Sequence, residues 1–386
     1  MKDYKSLYTR FLAARPDELH FAAHSHHLWP DVTRDAQLKA WDDAAQYNDR
    51  KWEYIFQTIV PQVQGHIARI LNLQRADMIA LAPNTHDLLV RLFSELLTRP
   101  QLKLLTTDSE FHSFARQLRR WEEVHTHLQV TRVEGIELLN DRESFLHNFE
   151  AKLVGQDVVF VSQVFFNSGL ALKIEDIERW VKKASPDTIF VIDSYHGFAA
   201  LPTDLARLEG RVFYLGGGYK YVQAGEGVGF MVVPQGPWRP VITGWFAEYA
   251  QLSSPVAGGV GYSNDGMAFW GATMDPSGWY RFVAAWDEFQ RLGMSVEHIH
   301  QHVLSLQNEF LKSSPLKDFK PLYDHPLQHH GHFLTYEAKD AQEATGLREK
   351  LLQKQVYIDQ RGARLRFGFG LYQDRTDVQR LLERLS

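Results

Sequence analysis

The chain contains no cysteine. Disulfides, thiolate metal sites and any route that carries sulfur or substrate on the protein's own thiol are thereby excluded. Positive charge is also scarce: 42 Lys and Arg face 47 Asp and Glu, a formal net charge of −5. Without a basic field nothing holds a phosphate backbone, so nucleic acid is not an expected partner. No apolar run approaches the roughly 20 residues that cross a bilayer, so no membrane partner is expected. The first twenty residues, MKDYKSLYTRFLAARPDELH, are charged throughout and lack the apolar h-region of an export signal. A cytoplasmic location is the expectation. There is no internal repeat, no low-complexity tract and no G-x-x-x-x-G-K-[ST] loop for a nucleotide phosphate.

What is present is a globular composition: 386 residues, 44% hydrophobic and 23% charged. Residues 77–81 (DMIAL), 103–107 (KLLTT), 157–166 (DVVFVSQVFF), 188–193 (TIFVID), 211–215 (RVFYL) and 227–233 (GVGFMVV) read as strands. Between them, 85–97, 112–123 and 175–183 carry apolar residues at helical spacing. This alternation predicts an α/β fold, a mostly parallel central sheet with helices on both faces. Chemistry is then expected in the loops after the strands. From about residue 279 the pattern changes to long helical stretches, 279–292 and 295–311, followed by a strand at 364–369. We expect a smaller α+β C-terminal domain over 279–386, a large domain over 61–278, and an N-terminal segment, 1–60, packing on both.

Three strand ends carry chemistry. TIFVID ends in Asp193, with Ser194, Tyr195 and His196 next; RVFYL runs into Gly216, Gly217, Gly218, Tyr219 and Lys220; the loop after IAL holds Asn84 and Thr85 at a helix start. A cofactor with an aldehyde, a pyridine ring and a phosphate needs such groups. A buried carboxylate keeps the ring nitrogen protonated. A desolvated lysine loses its proton and forms a Schiff base. A helix N-terminus binds a phosphate dianion. Each residue alone has an ordinary explanation as a cap, a turn or a solvated loop residue; their order on a parallel sheet is what points to a site.

These segments resemble the class V aminotransferase family of fold-type I pyridoxal-phosphate enzymes, and within it kynureninase. GYKYVQAGEG (218–227) is similar to the lysine segment, DSYHG (193–197) to the Asp-x-x-His, and HSHHLWP (24–30) to an N-terminal motif. GWF (244–246) and LRFGFGLYQDRTDV (365–378) match more loosely. The resemblance implies that Lys220 forms the internal aldimine with pyridoxal 5'-phosphate and moves protons at the substrate α-carbon. It implies that Asp193 pairs with the ring nitrogen, that His196 lies under the ring and that Phe111 stacks on its face. Asn84, Thr85 and Tyr219 would bind the phosphate, with Trp245 at the same end; Tyr219 is also a candidate proton mediator. Thr273 would reach the partner subunit's phosphate, which implies a homodimer. Arg366 would hold the substrate α-carboxylate, and Ser25 and His26 would lie on the substrate side. The sequence departs from the kynureninase pattern on that side: His24, His26 and His27 replace Asn, Leu and Gly, Gln223 and Glu226 replace Asn and Pro, Phe114 replaces an Asp, and Gly368 and Gly370 replace a Ser-Pro or Pro-x-Pro.

The expected activity is a kynureninase-like lyase or hydrolase that cleaves the side chain of an α-amino acid. A class V aminotransferase and a cysteine-independent C–S lyase are the alternatives. A different class, a His-rich metal-dependent hydrolase, would draw on His24, His26 and His27, on His329, His330 and His332, or on His298 and His302; no His-Glu-x-x-His accompanies them. A catalytically dead homologue is disfavoured by the presence of Lys220.

Overall fold

The computed structural model describes residues 4–251, 259–323, 327 and 329–386. Its centre is a seven-stranded sheet: β1 (Ile79–Ala82), β2 (Leu102–Thr107), β3 (Leu128–Val133), β4 (Val158–Ser162), β5 (Ile189–Asp193), β6 (Val212–Gly217) and β7 (Gly229–Val232). The spatial order is β1-β7-β6-β5-β4-β2-β3. Neighbours from β6 to β3 pair parallel, and β7 runs antiparallel between β6 and β1. Six strands therefore end at one edge, which is where the chemistry-bearing loops were expected. Central strands β4 and β6 are buried along their whole length, as strands covered on both faces must be.

Helices Thr85–Leu96, His112–Val124 and Ile174–Lys183 flank the sheet and bury Leu88, Leu92, Phe93, Phe114, Leu118 and Trp180 in one large core. Two elements differ from expectation. The predicted strand 157–166 stops at Ser162, because the chain turns back and pairs Val164 with Ala171. Strand β3 was not anticipated: it lies at the sheet edge, where Gln129 and Arg132 are exposed and the apolar run is diluted.

A second core lies on a four-stranded antiparallel sheet of β8 (Lys320–Pro321), β9 (Phe333–Glu337), β10 (Asp359–Arg361) and β11 (Arg364–Gly368), in the order β10-β11-β9-β8. Val303, Leu306, Phe310, Leu334, Leu365 and Phe367 fill it, and so do Leu19 and Phe21 from the start of the chain. Leu19–His20 pairs parallel with Val356–Tyr357, and Ala22 bridges to Gly368. The N-terminal segment thus runs from the second core to the open edge of the large sheet. Helix Ser277–Arg291 packs in the first core through Trp279, Phe282 and Phe289. No helix among the described residues is long and apolar enough to cross a membrane.

Candidate active site

Strands β5 and β6 are neighbours, so the loops leaving Asp193 and Gly217 lie side by side. In the first loop, Asp193 turns its Oδ1 back to accept the Tyr195 backbone N–H at 3.0 Å. In the second, Lys220 is buried and its Nζ lies 2.7 Å from His196 Nε2. Burial drives the His196 pKa well down, so the ring is neutral. Its other nitrogen, Nδ1, is buried with no hydrogen-bond partner. The rings of Tyr195, Phe111 and Tyr219 stand 4.8, 5.5 and 5.7 Å from the ammonium. Burial raises the Tyr219 hydroxyl to about 12, which keeps it protonated and able to donate.

Lys220 Nζ and Asp193 border a cavity of about 250 Å³. It is smaller than the roughly 300 Å³ at which pockets for drug-sized ligands begin, and so suited to a single ring with short substituents. Asn84, Thr85, Phe111, His196 and Tyr219 line the same cavity. Helix Thr85–Leu96 begins at this lining, with Asn84 Oδ1 capping the Asp87 N–H at 2.9 Å. The other N–H groups of a first turn have no intrahelical acceptor. Gly229 on β7 lets the helix start seat this low: a Cβ there would lie 2.4 Å from the Asn84 carbonyl carbon. An anion cradle, a buried carboxylate and a desolvated amine on one cavity fit a pyridine aldehyde phosphate in donor chemistry and size.

Glu110, buried and bonded to Ser162 of the cavity lining, was not singled out from the sequence. It accepts from Thr107 Oγ1 at 2.6 Å and from Ser162 Oγ at 2.5 Å, and burial raises it to about 7 with Asp193 adding to the rise. Phe114, which stands where kynureninases have an aspartate, stacks on Phe160 at 3.5 Å and closes the wall with hydrocarbon.

Burial pushes the Lys220 ammonium down from 10.5 to about 7; the Asp193 carboxylate holds it up, and Arg366 adds to the fall. The unfolded chain keeps this proton up to about 10.5 and the folded one releases it near 7, so stability rises with pH between those values. Asp193, raised by burial, acts in the opposite sense at lower pH. From pH 7 to 8 the ligand-free protein should therefore gain about 1 kcal/mol of unfolding free energy from Lys220. Urea titrations at each pH test this. The gain should be absent in Lys220→Met, and parallel curves for the two proteins would remove the lysine as its source.

The second sheet brings up another group. Arg366 on β11 is 3% exposed; its Nε donates to Asp359 Oδ2 at 2.7 Å, its Nη2 to the same oxygen, and its Nη1 to the Phe166 carbonyl. Its guanidinium stands 5.8 and 5.6 Å from the rings of Phe166 and Phe333. It does not line the 250 Å³ cavity itself; Phe166 does, and is the link between them.

The three N-terminal histidines separate by environment. The His27 ring nitrogens meet the Leu28 carbonyl at 2.7 Å and the Leu371 N–H at 3.3 Å, a structural role. His26 is exposed, lies over the Tyr219 ring at 5.1 Å and has Ser25 Oγ 3.5 Å from its Nδ1; neither residue lines the 250 Å³ cavity. His24 is fully buried, stacked on Phe333 at 4.5 Å, with neither ring nitrogen hydrogen-bonded. Burial takes it to about 3, so it is neutral. Gly368 makes room for it, since a Cβ would lie 2.2 Å from His24 Nδ1.

Trp245 and Thr273 are exposed and are not brought to this chain's own cavity. Among the described residues no three His, Cys, Asp or Glu gather as a metal site. His298 closes a capping box with Ser295, His302 bonds the Gln373 carbonyl at 2.9 Å, and His300 and His332 bond each other at 3.1 Å.

No curated protein matches the sequence. Solved structures do. C-DES, as a lysine-to-alanine mutant with glycine covalently linked to its PLP cofactor, superposes with a TM-score of 0.85 at 18% identity, over 100% of this chain and 99% of that one. A complex of the cystine C–S lyase C-DES with its product cysteine persulfide gives 0.82 at 18% identity, over 97% and 98%. An apo cysteine desulfurase from Thermococcus onnurineus NA1 gives 0.81 at 16%, over 99% and 97%. These likenesses show the fold. The model of the aminotransferase class-V family matches residues 48–381 and so takes in the capped helix start, Asp193, Lys220 and Arg366 alike; the chain belongs to that family.

Proposed function

We propose that the chain is a pyridoxal-phosphate-dependent lyase that cleaves the side chain of an α-amino acid, working as a cytoplasmic homodimer. The observation that carries this reading is that buried Lys220, Asp193 and the N-terminus of a helix line one small cavity. Asn84, Thr85 and Tyr219 hold the phosphate end, Asp193 the ring nitrogen, Phe111 and His196 the ring faces, and Lys220 the aldehyde. The cofactor supplies a cationic ring that accepts the electron pair left on the substrate when a bond to its α-carbon breaks.

The remaining roles fall to the protein. Arg366 binds the α-carboxylate and so fixes which bond at the α-carbon is broken. Lys220, titrating near neutrality, takes the α-proton and returns one. Tyr219, protonated and beside the lysine, passes a proton to or from the side chain being cleaved. Apolar walls at Phe111, Phe114 and Phe166 keep bulk water from the reacting carbon. Ser25 and His26 meet the substrate, and Trp245 and Thr273, exposed on their own chain, serve the partner's site. The sequence likeness of DSYHG and GYKYV favours kynureninase-like hydrolysis beside a side-chain carbonyl. A second reading, direct C–S cleavage, draws support from the likeness in shape to the cystine C–S lyase C-DES and needs no enzyme thiol.

The test is a screen of amino acids for spectral change in the holoenzyme, followed by product analysis. A product that keeps its α-amino group identifies hydrolysis, and release of sulfide or persulfide identifies C–S cleavage. Transfer of the amino group to a 2-oxo acid, with the side chain intact, would overturn the lyase reading. In the same assay Arg366→Ala should weaken amino-acid binding by about one to two orders of magnitude, the roughly 1.5–3 kcal/mol of a charge-assisted contact, with cofactor content unchanged. Loss of cofactor instead would mean that the arginine belongs to the cofactor's own shell.

A further inference from the structure

A guanidinium carries five N–H donors in one plane. In Arg366 three are taken: Nε and one N–H of Nη2 go to Asp359 Oδ2, and one N–H of Nη1 goes to the Phe166 carbonyl. One N–H on each terminal nitrogen is left. Asp359 and Arg366 are direct cross-strand partners in the β10–β11 ladder, and the rings of Phe166 and Phe333 lie 5.8 and 5.6 Å from the guanidinium. Around Asp359, Arg361 Nη2 stands 3.5 Å from Oδ1 and His24 Nε2 stands 3.8 Å from Oδ2. The carboxylate is thus surrounded by donors and fixed by its own strand.

We propose that Asp359 is the positioning residue of the substrate-carboxylate site: it grips Arg366 along one edge so that the two remaining N–H groups meet an incoming carboxylate in a single orientation. This rests on the reading of Arg366 given above. Asp359 does not touch the substrate. It acts by removing the rotamers that a long, buried cation would otherwise sample, so that no ordering is left for the substrate to impose. The opposite role, a built-in competitor that occupies the arginine until substrate displaces it, is disfavoured by the ladder: a side chain directly across the strand pair has no backbone freedom to withdraw.

The experiment compares L-alanine with L-alaninamide, which lacks the carboxylate, as probes of the holoenzyme by change in cofactor absorbance. Asp359→Asn should raise the dissociation constant of L-alanine at least 10-fold and leave that of L-alaninamide within 2-fold, with cofactor content intact. Asp359→Glu, which keeps the charge but lengthens the reach, should recover part of the loss. Equal or tighter L-alanine binding in Asp359→Asn would overturn the proposal, and so would equal weakening of both probes, which a purely structural role produces. Arg366→Lys separates the two readings. If it leaves both probes unchanged, the assignment of Arg366 fails; if it weakens only L-alanine while Asp359→Asn does not, Arg366 stands and the role of Asp359 falls.

Discussion

Replacement of Lys220 by alanine is expected to lower turnover at least about 10³-fold, within the 10²–10⁴ range for losing a positioned acid–base group, and to abolish the visible absorbance of the purified holoenzyme. The reason lies in what surrounds the amine. Lys220 is the sole lysine lining the cavity among the described residues, so no second amine can take over the covalent link. Its hydrogen-bond partner is poorly placed to replace it in proton transfer, because burial, the largest influence on His196 and one that the substitution leaves in place, holds it below its ordinary pKa. Truncation also takes the charge out from between Asp193 and Arg366, which act on it with opposite sign. Absorbance spectra of wild type and variant, each with added pyridoxal phosphate, are the direct check. A wild type that gains no band, or a variant that borohydride reduction still joins covalently to pyridoxal phosphate, would contradict the assignment.

Asp193→Asn should lower turnover by about 10²–10³, the effect of removing one preorganised electrostatic partner from a dry site, with substrate binding little changed. Asparagine preserves the volume and can still accept from the Tyr195 N–H that now bonds Oδ1. What it lacks is charge. The carboxylate counters the desolvation that presses Lys220 toward its neutral form, so its loss drives the lysine pKa lower still. On the placement proposed above, it would also withdraw the counter-ion from the ring nitrogen, where electron demand is greatest. Steady-state kinetics should show the fall in kcat with KM held, and the acid limb of the rate profile should shift to lower pH. An unchanged kcat would move the ring nitrogen elsewhere.

Much of the large domain's layout is legible from sequence because strands buried on both faces must be apolar throughout, as VVFVS and VFYLG are. Strand β3 escapes for the complementary reason, since one side of it meets water. The cofactor end of the site is legible because Asp193, Lys220 and Asn84 sit at strand ends, where one dimension of the problem is already solved. The carboxylate end is harder to read. Asp359 belongs to no motif, yet a signal existed: DQRGARLR folds as a hairpin with Gly362 at φ +57°, pairing Arg361 with Arg364 and hence Asp359 with Arg366. Counting back from that glycine turn gives the partner of Arg366 without any structure. Glu110 and Tyr195 gave no comparable signal. Their importance comes from burial around the cavity, which depends on elements far apart in the chain.

The segment from Leu19 to His27 has a mechanical consequence. Phe21 N–H bonds the Tyr357 carbonyl and Gly368 N–H bonds the Phe21 carbonyl, at 2.8 and 2.7 Å, so His24 is bolted to the strand that bears Arg366 rather than to the one that leads to Lys220. If the second sheet tilts, the imidazole and the guanidinium ride on the same plate. Substitutions in the hydrocarbon beneath that sheet, at Phe310 or Phe367, would then retune substrate selection while the colour of the enzyme stays the same.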